Sequence, residues 1–282
     1  MSETTITHRT IDAGGLRVHL AQAGPADAPA VLLLHGWPQT HHLWRHVGPA
    51  LAVDHHVLMP DLRGFGQTEA PGTGMDPQTF AADQLALLDA LRIDRVAMIG
   101  HDWGGYTGFL LAAHHPDRVA AYLACNTPHP WPQLTPRVGL EAWRSWYAVM
   151  MASPLGPLAL QHTPIVAQAL RRETGGGTGL TPEDLRIFTE AFRAPERARA
   201  SQLLYRSYLC TLAGLVHGGG DPVPRLTVPY RLLFGRRDGA IPTALVRDLP
   251  GTELVDAGHF VVDERPDLVI QRARELFSAA GA

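Results

Sequence analysis

The pentad Gly100-His101-Asp102-Trp103-Gly104 has the spacing of a nucleophile elbow, Gly-x-Ser-x-Gly, with an aspartate in the serine position, and it directly follows the apolar run Val96-Ala97-Met98-Ile99. An elbow is a strained turn from a buried strand into a helix, and its glycines are required because a β-carbon there would collide with neighbouring backbone. A carboxylate at the tip attacks carbon and leaves an ester that water must then hydrolyse. The same carboxylate attacking an ester would give a reactive anhydride, so simple ester hydrolysis is disfavoured.

Such a reaction needs three further groups near Asp102. In an elbow, the backbone N–H after the nucleophile and one from the loop after the third strand stabilise an oxyanion. That loop is His35-Gly36-Trp37-Pro38, after Val31 to Leu34, so the expected donors are the N–H groups of Trp103 and Trp37. A base is expected at His259, in Asp256-Ala257-Gly258-His259-Phe260 just beyond Leu254-Val255, where a loop at the carboxyl edge of a sheet would meet the elbow. Asp238, following Tyr230 to Phe234, lies on the same edge and would orient the imidazole. Asp256 and Asp263 are nearer His259 in the chain, but sequence proximity does not aim a carboxylate. Arg237 reads as a surface ion-pair partner. The chain order nucleophile, acid, base is then Asp102, Asp238, His259.

The elements that must position these groups can be read from apolar patterning. Thr4 to Asp12 and Leu16 to Ala23, joined through Ala13-Gly14-Gly15, predict an antiparallel hairpin. Continuous apolar runs follow at Ala30–Leu34, His56–Met59, Val96–Ile99 and Val119–Cys125, separated by helix-like stretches such as Thr79–Leu91 and Tyr106–His114. Runs recur at Tyr230–Phe234 and Thr252–Val255, and Arg265–Ser278 reads as a closing helix. Strands buried on both faces and alternating with helices predict an α/β fold with a mostly parallel central sheet. Between Thr127 and about Val228 the alternation gives way to helices, proline and glycine, read as an inserted helical cap. The expected division is core 1–127, cap 128–228 and core 229–282. Within the cap, Thr181-Pro182-Glu183-Asp184 predicts a capped helix start, and Ile187, Phe188, Ala191 and Phe192 an apolar stripe packed on the cap's own core. Gly175 to Gly179 reads equally as a loop over the site or a surface linker.

Composition narrows the function classes. The 282 residues are 45% hydrophobic and 18% charged with a net charge of −3, which argues against nucleic acid or an anionic membrane as partner. No basic and apolar leader opens the chain, and Tyr147–Leu160, its most apolar stretch, is broken by proline and glycine and is shorter than the ~20 residues of a span. Cys125 and Cys210 both read as buried thiols in a reducing, cytoplasmic setting. The histidine pairs His41-His42, His55-His56 and His114-His115 read as solvated or packed, and no metal site is expected. Gly64-Phe65-Gly66 lacks the strand-to-helix context of a dinucleotide fingerprint, His217-Gly218-Gly219-Gly220 reads as a linker, and no cofactor is expected. Asp61 and Arg63 read as braces for the loop beneath the site.

Taken together, His35-Gly36-Trp37-Pro38, Asp61-Leu62-Arg63-Gly64-Phe65-Gly66, Gly100 to Gly105, Gly235 to Asp238 and Gly258-His259 resemble the epoxide hydrolases of the α/β-hydrolase superfamily, over nearly the whole chain outside the cap. The same aspartate nucleophile occurs in haloalkane and fluoroacetate dehalogenases. The resemblance implies hydrolysis of a small apolar or aromatic epoxide to a vicinal diol, with two cap tyrosines bonding the epoxide oxygen. Tyr147 and Tyr205 stand at comparable places, with Tyr208 or Tyr106 as alternatives to Tyr205, and Asn126-Thr127-Pro128 resembles the start of such a cap. Fluoroacetate dehalogenases have arginines beside the nucleophile, where this helix begins Trp103-Gly104-Gly105-Tyr106. Many haloalkane dehalogenases have an asparagine where Trp37 stands, and some take their acid where Asn126 stands. Trp103 suits both groups, because its indole could hold a halide. Expected pocket residues are His35, Pro38, Trp143, Trp146 and Phe260. The alternative activity is a haloalkane dehalogenase. A non-catalytic ligand-binding protein would carry a broken triad, and this one is whole. A homodimer is left open.

Overall fold

The computed structural model describes residues 5–130, 146–174, 179–216 and 226–282. Strands β1 (Thr7–Ala13) and β2 (Leu16–Ala23) form the hairpin; β3 (Ala30–Leu34), β4 (His56–Pro60), β5 (Val96–His101), β6 (Val119–Cys125), β7 (Tyr230–Gly235) and β8 (Thr252–Val255) complete one sheet. Its order is β1-β2-β4-β3-β5-β6-β7-β8. The pairs β1/β2 and β2/β4 are antiparallel and every other pair is parallel. Parallel neighbours require crossovers, and the crossover helices cover both faces. Every residue of β5 and β6 is therefore buried. Along β3 the side chains alternate, with Leu32 and Leu34 in one apolar core and Val31 and Leu33 in the other.

Helix α1 (Val47–Leu51) precedes β4, α2 (Pro77–Leu91) and α3 (Trp103–His114) flank β5, and α9 (Val261–Glu264) and α10 (Pro266–Ala280) close the chain. Asp76 caps α2 by accepting from the Thr79 N–H at 2.8 Å, with Pro77 in the first turn, which explains why the helix starts two residues before the apolar pattern does. Between β6 and β7 stand α4 (Trp146–Ala152), α5 (Leu155–His162), α6 (Ile165–Glu173), α7 (Pro182–Glu190) and α8 (Pro195–Val216). The expected start of α7 forms a capping box between Thr181 and Asp184.

Two expectations about packing need correction. Phe188 and Phe192 are buried, but their rings meet His42, Phe65 and Trp37 of the sheet layer, so the stripe joins the inserted helices to the rest of the molecule and does not serve the insertion alone. Cys125 is buried in β6, whereas Cys210 is exposed: α8 turns it outward while Leu204 and Tyr205 face in. An apolar neighbourhood in sequence does not set which side of a helix a residue occupies. Among the described residues, no helix is long and apolar enough to cross a membrane.

Candidate active site

Asp102 sits between β5 and α3 with φ 52° and ψ −117°, a conformation rare for a residue with a β-carbon. The crowding around it explains the neighbouring glycines. A β-carbon on Gly104 would fall onto the carbonyl of Leu34, and one on Gly36 would meet the Asp102 carboxylate itself. The strain thus places the carboxylate against the loop after β3 and at the positive end of α3. The Trp37 N–H donates to Asp102 Oδ1 at 2.8 Å, and the Trp103 N–H also donates to the carboxylate. The Trp37–Pro38 peptide in this loop is cis.

His259 reaches the same point from the loop after β8. Its Nε2 lies 3.7 Å from Asp102 Oδ2, and its Nδ1 donates to Asp238 Oδ2 at 2.9 Å. Asp238, fully buried after β7, also accepts from the N–H groups of Ala240 and Ile241 at 2.8 Å and from Asn126 Nδ2 at 2.7 Å. Burial alone would raise its pKa, but the His259 charge and these donors outweigh it and hold the carboxyl below its usual range. Burial likewise opposes the His259 charge, yet Asp238, Asp102 and Glu173 together push this imidazole up to about 9. At Asp102 burial dominates and raises the carboxyl to about 6, against the lowering effects of His259 and the two N–H groups. Between those values the pair rests as carboxylate and imidazolium. A nucleophilic Asp102 must be ionised, so kcat/KM should fall tenfold per pH unit below about 6. A profile that stays flat to pH 5 would remove Asp102 as the group whose ionisation matters.

Opposite the carboxylate, α4 and α8 supply Tyr147 and Tyr205, whose rings are 5.8 Å apart at 83°. Burial, reinforced by the nearby Asp102 charge, holds both phenols well above their usual pKa, so they keep their protons. The Trp103 indole bonds the Tyr205 hydroxyl. Both tyrosines line a cavity of about 390 Å³ together with Asp102, His259, Trp37, Pro38, Trp146 and Phe260. Tyr208 and Tyr106 line a smaller adjoining cavity that Asp102, Tyr147 and Tyr205 also border, and the Tyr106 hydroxyl donates to the Pro130 carbonyl at 3.4 Å. Of Tyr205 and Tyr208, Tyr205 alone also lines the larger cavity with Asp102 and His259.

His35 is not at the pocket wall. It lies fully buried behind the loop, its Nδ1 donating to the Gly36 carbonyl and its Nε2 accepting from the Leu62 N–H, so it holds the backbone beside Trp37 instead of facing a ligand. Trp146 lines the cavity while remaining 54% exposed, so it stands at the mouth. Trp143, the loop from Gly175 to Thr178 and the His217 to Gly220 segment lie outside the described residues. Asp256 pairs with Arg237 at the surface, and Asp263 is occupied by Gln39 and Arg45, which leaves Asp238 as the partner of His259. Asp61 and Arg63 do brace the loops below, through His19, His41 and Asp83.

Three residues support the site in ways that sequence did not assign to them. Asn126, at φ 39° after β6, aims its amide at Asp238 and at the Gly258 carbonyl. His101 Nε2 donates to the His259 carbonyl at 2.9 Å, and burial lowers its pKa to about 3, so it stays neutral beside the base. The Glu173 carbonyl, at the end of α6, accepts from the His259 N–H at 2.8 Å, and the Glu173 side chain lines the cavity. A polar residue at the end of a buried strand (His101) or just after one (Asn126) was the available signal; Glu173 had none.

A sequence profile of the alpha/beta hydrolase fold matches residues 29–175. The soluble epoxide hydrolase of Corynebacterium sp. (strain C12) is 46% identical over 116 residues, 41% of this chain and 40% of that protein's own length. The fluoroacetate dehalogenase of Burkholderia sp. is 29% identical over 96% of this chain and 94% of that protein. The ligand-free structure of the epoxide hydrolase CorEH superposes with a TM-score of 0.81 at 29% identity, covering 98% of this chain and 99% of that one.

Proposed function

The chain belongs to the alpha/beta hydrolase fold family, and on that premise we propose that it hydrolyses epoxides to vicinal diols through a covalent ester on Asp102. The observation that carries this reading is the pairing, across one cavity, of an ionisable elbow carboxylate with two neutral, buried phenols. Opening a strained ring requires a nucleophile on carbon and a proton donor on oxygen, and an epoxide oxygen stays attached to the product. A halide leaving group needs no proton. The helices between β6 and β7, read as a cap over residues 128–228, bring the donors.

In this mechanism Asp102 attacks one oxirane carbon from behind, the C–O bond breaks, and Tyr147 and Tyr205 donate to the departing oxygen. Esterification removes the Asp102 charge, which is one of the influences raising the His259 pKa. The base is therefore released by the first half-reaction: His259 loses its proton more readily once the ester exists. It then takes a proton from water, hydroxide adds to the ester carbonyl, and the Trp37 and Trp103 N–H groups hold the oxyanion. Collapse of that intermediate breaks the bond to the alkyl oxygen, which takes the proton His259 removed from water, and releases the diol with the carboxylate regenerated; the proton His259 gave up after ester formation restores the phenol that protonated the epoxide oxygen, and solvent returns His259 to its resting imidazolium. The apolar and aromatic cavity suits a small apolar or aromatic epoxide.

Styrene oxide turnover in ¹⁸O-labelled water tests the reading, because water attacks the acyl carbon and label must enter Asp102 over repeated turnovers. Diol without label in Asp102 would mean direct attack by water. The Burkholderia relative motivates one alternative, dehalogenation by the same carboxylate; bromide release from 1-bromobutane with no diol from styrene oxide would establish it. Tyr147→Phe and Tyr205→Phe should each slow single-turnover ester formation by roughly 10²-fold, the usual scale of general acid catalysis. Unchanged rates would remove the phenols from the mechanism.

A further inference from the structure

The geometry points to a divalent-cation site at the edge of the sheet, built by His8, His19 and His41 for an ion of the zinc class. His8 is exposed on β1, His19 is buried on β2, and His41 is half-buried in the turn after β3; one ring nitrogen of each lies within 4.8 Å of the other two. Their convergence follows from register. His8 stands opposite Ala21 and His19 opposite Thr10, so the two imidazoles are diagonal neighbours on one face of the hairpin, with His8 Nδ1 3.1 Å from His19 Nε2.

Asp61, just past β4, prepares two of the ligands. Its Oδ2 accepts from His19 Nδ1 at 2.8 Å and its Oδ1 from His41 Nδ1 at 2.9 Å. The backbone N–H groups of His41 and Gln67 donate to the same two oxygens, so the carboxylate acts wholly as an acceptor. Each imidazole therefore keeps its proton on Nδ1 and leaves Nε2 as an acceptor, and on His19 that nitrogen accepts from His8 Nδ1, a bond that an ion would replace. A carboxylate behind a ligating histidine fixes its tautomer and raises its basicity, and here one fully buried carboxylate does so for two rings. Imidazole donors suit zinc, nickel or copper over magnesium or calcium. Tetrahedral zinc with Zn–N near 2.0–2.1 Å needs donors about 3.4 Å apart; His8 and His19 already offer nitrogens 3.1 Å apart, and the wider spacing to His41, within 4.8 Å, would close around the ion. Solvent would complete the coordination, and the ion would tie the N-terminal hairpin to the turn that follows β3.

The test uses the untagged, metal-stripped chain, titrated with zinc chloride by calorimetry and followed by thermal unfolding. One ion per chain is expected, with Tm rising by roughly 5 °C or more at a hundredfold excess over Kd. His8→Ala changes an exposed strand residue and should leave folding and styrene oxide turnover intact while weakening zinc at least tenfold; the exposed His162→Ala should bind as the parent does. Cobalt substitution should give visible bands of a low-coordinate ion that His8→Ala abolishes. Undiminished zinc affinity in His8→Ala, or no zinc-dependent rise in Tm, would overturn the site.

Discussion

His259→Gln is expected to turn the enzyme into a single-use trap: exposed to styrene oxide, the chain gains the full mass of the substrate on the peptide containing Asp102 and then stops. The glutamine keeps the pocket filled but cannot take a proton from water, so the second half-reaction should slow by about 10²–10⁴-fold while the first survives. The mass itself discriminates between chemistries, since an opened epoxide leaves nothing behind, whereas an alkyl bromide would add only its alkyl part. Removing His259 also removes the influence that lowers the Asp102 pKa, so that carboxyl should titrate above its present value of about 6 and the trap is best run near pH 8. An unmodified variant under those conditions would mean that His259 takes part in the first step, not the second.

Asp102→Gly should abolish turnover, by at least about 10⁴-fold as for other members of concerted catalytic groups, and yet give a chain no less stable than the parent. Two physical costs leave with the carboxylate. A residue at φ 52° and ψ −117° carries strain of order 1–3 kcal/mol that glycine does not. The buried carboxyl, raised from 3.8 to about 6, disfavours the folded state by roughly 3 kcal/mol once ionised. The sign follows from linkage: the folded state holds this proton more tightly than the unfolded one, so the favourable contribution is complete below pH 3.8 and is lost as pH rises through about 6. The Tm advantage of Asp102→Gly should accordingly be larger at pH 8 than at pH 4, by about 2–4 °C for each kcal/mol. Turnover within 10²-fold of the parent would remove Asp102 as nucleophile. A Tm several degrees lower at pH 8 would show that the elbow's conformation is not strained.

Much of the fold and the outline of the site were legible because their causes are local. Strands such as Ala30–Leu34 and Val119–Cys125 are apolar without alternation because both faces are covered, and that pattern needs no partner to be recognised. Asp102 was legible because close backbone approach demands glycine at Gly100 and Gly104, a constraint visible in five residues. Asp238 and His259 followed from one further rule, that loops at the carboxyl ends of parallel strands share an edge.

What tertiary structure alone decided depends on which side a residue faces and on what it meets far along the chain. Tyr205 and Tyr208 are neighbours on α8 and both border a cavity with Tyr147 and Asp102, but only the way the helix is turned puts Tyr205 in the larger cavity with His259 as well. The same rotation turned Cys210 outward. His35 sits one residue before Gly36, yet backbone groups of Gly36 and Leu62 claim both of its ring nitrogens. His41 was read with His42, its neighbour in sequence, whereas its partners are His8 and His19 across the hairpin and Asp61 at the end of a third strand. Sequence by itself determined the elbow position of Asp102, the buried strands and the chain order of Asp102, Asp238 and His259, since sterics and burial act on adjacent residues. Structure decided which tyrosines share the cavity with Asp102 and His259, the brace on Asp238 and the histidine cluster, since strand register and helix packing bring together residues that no local pattern links.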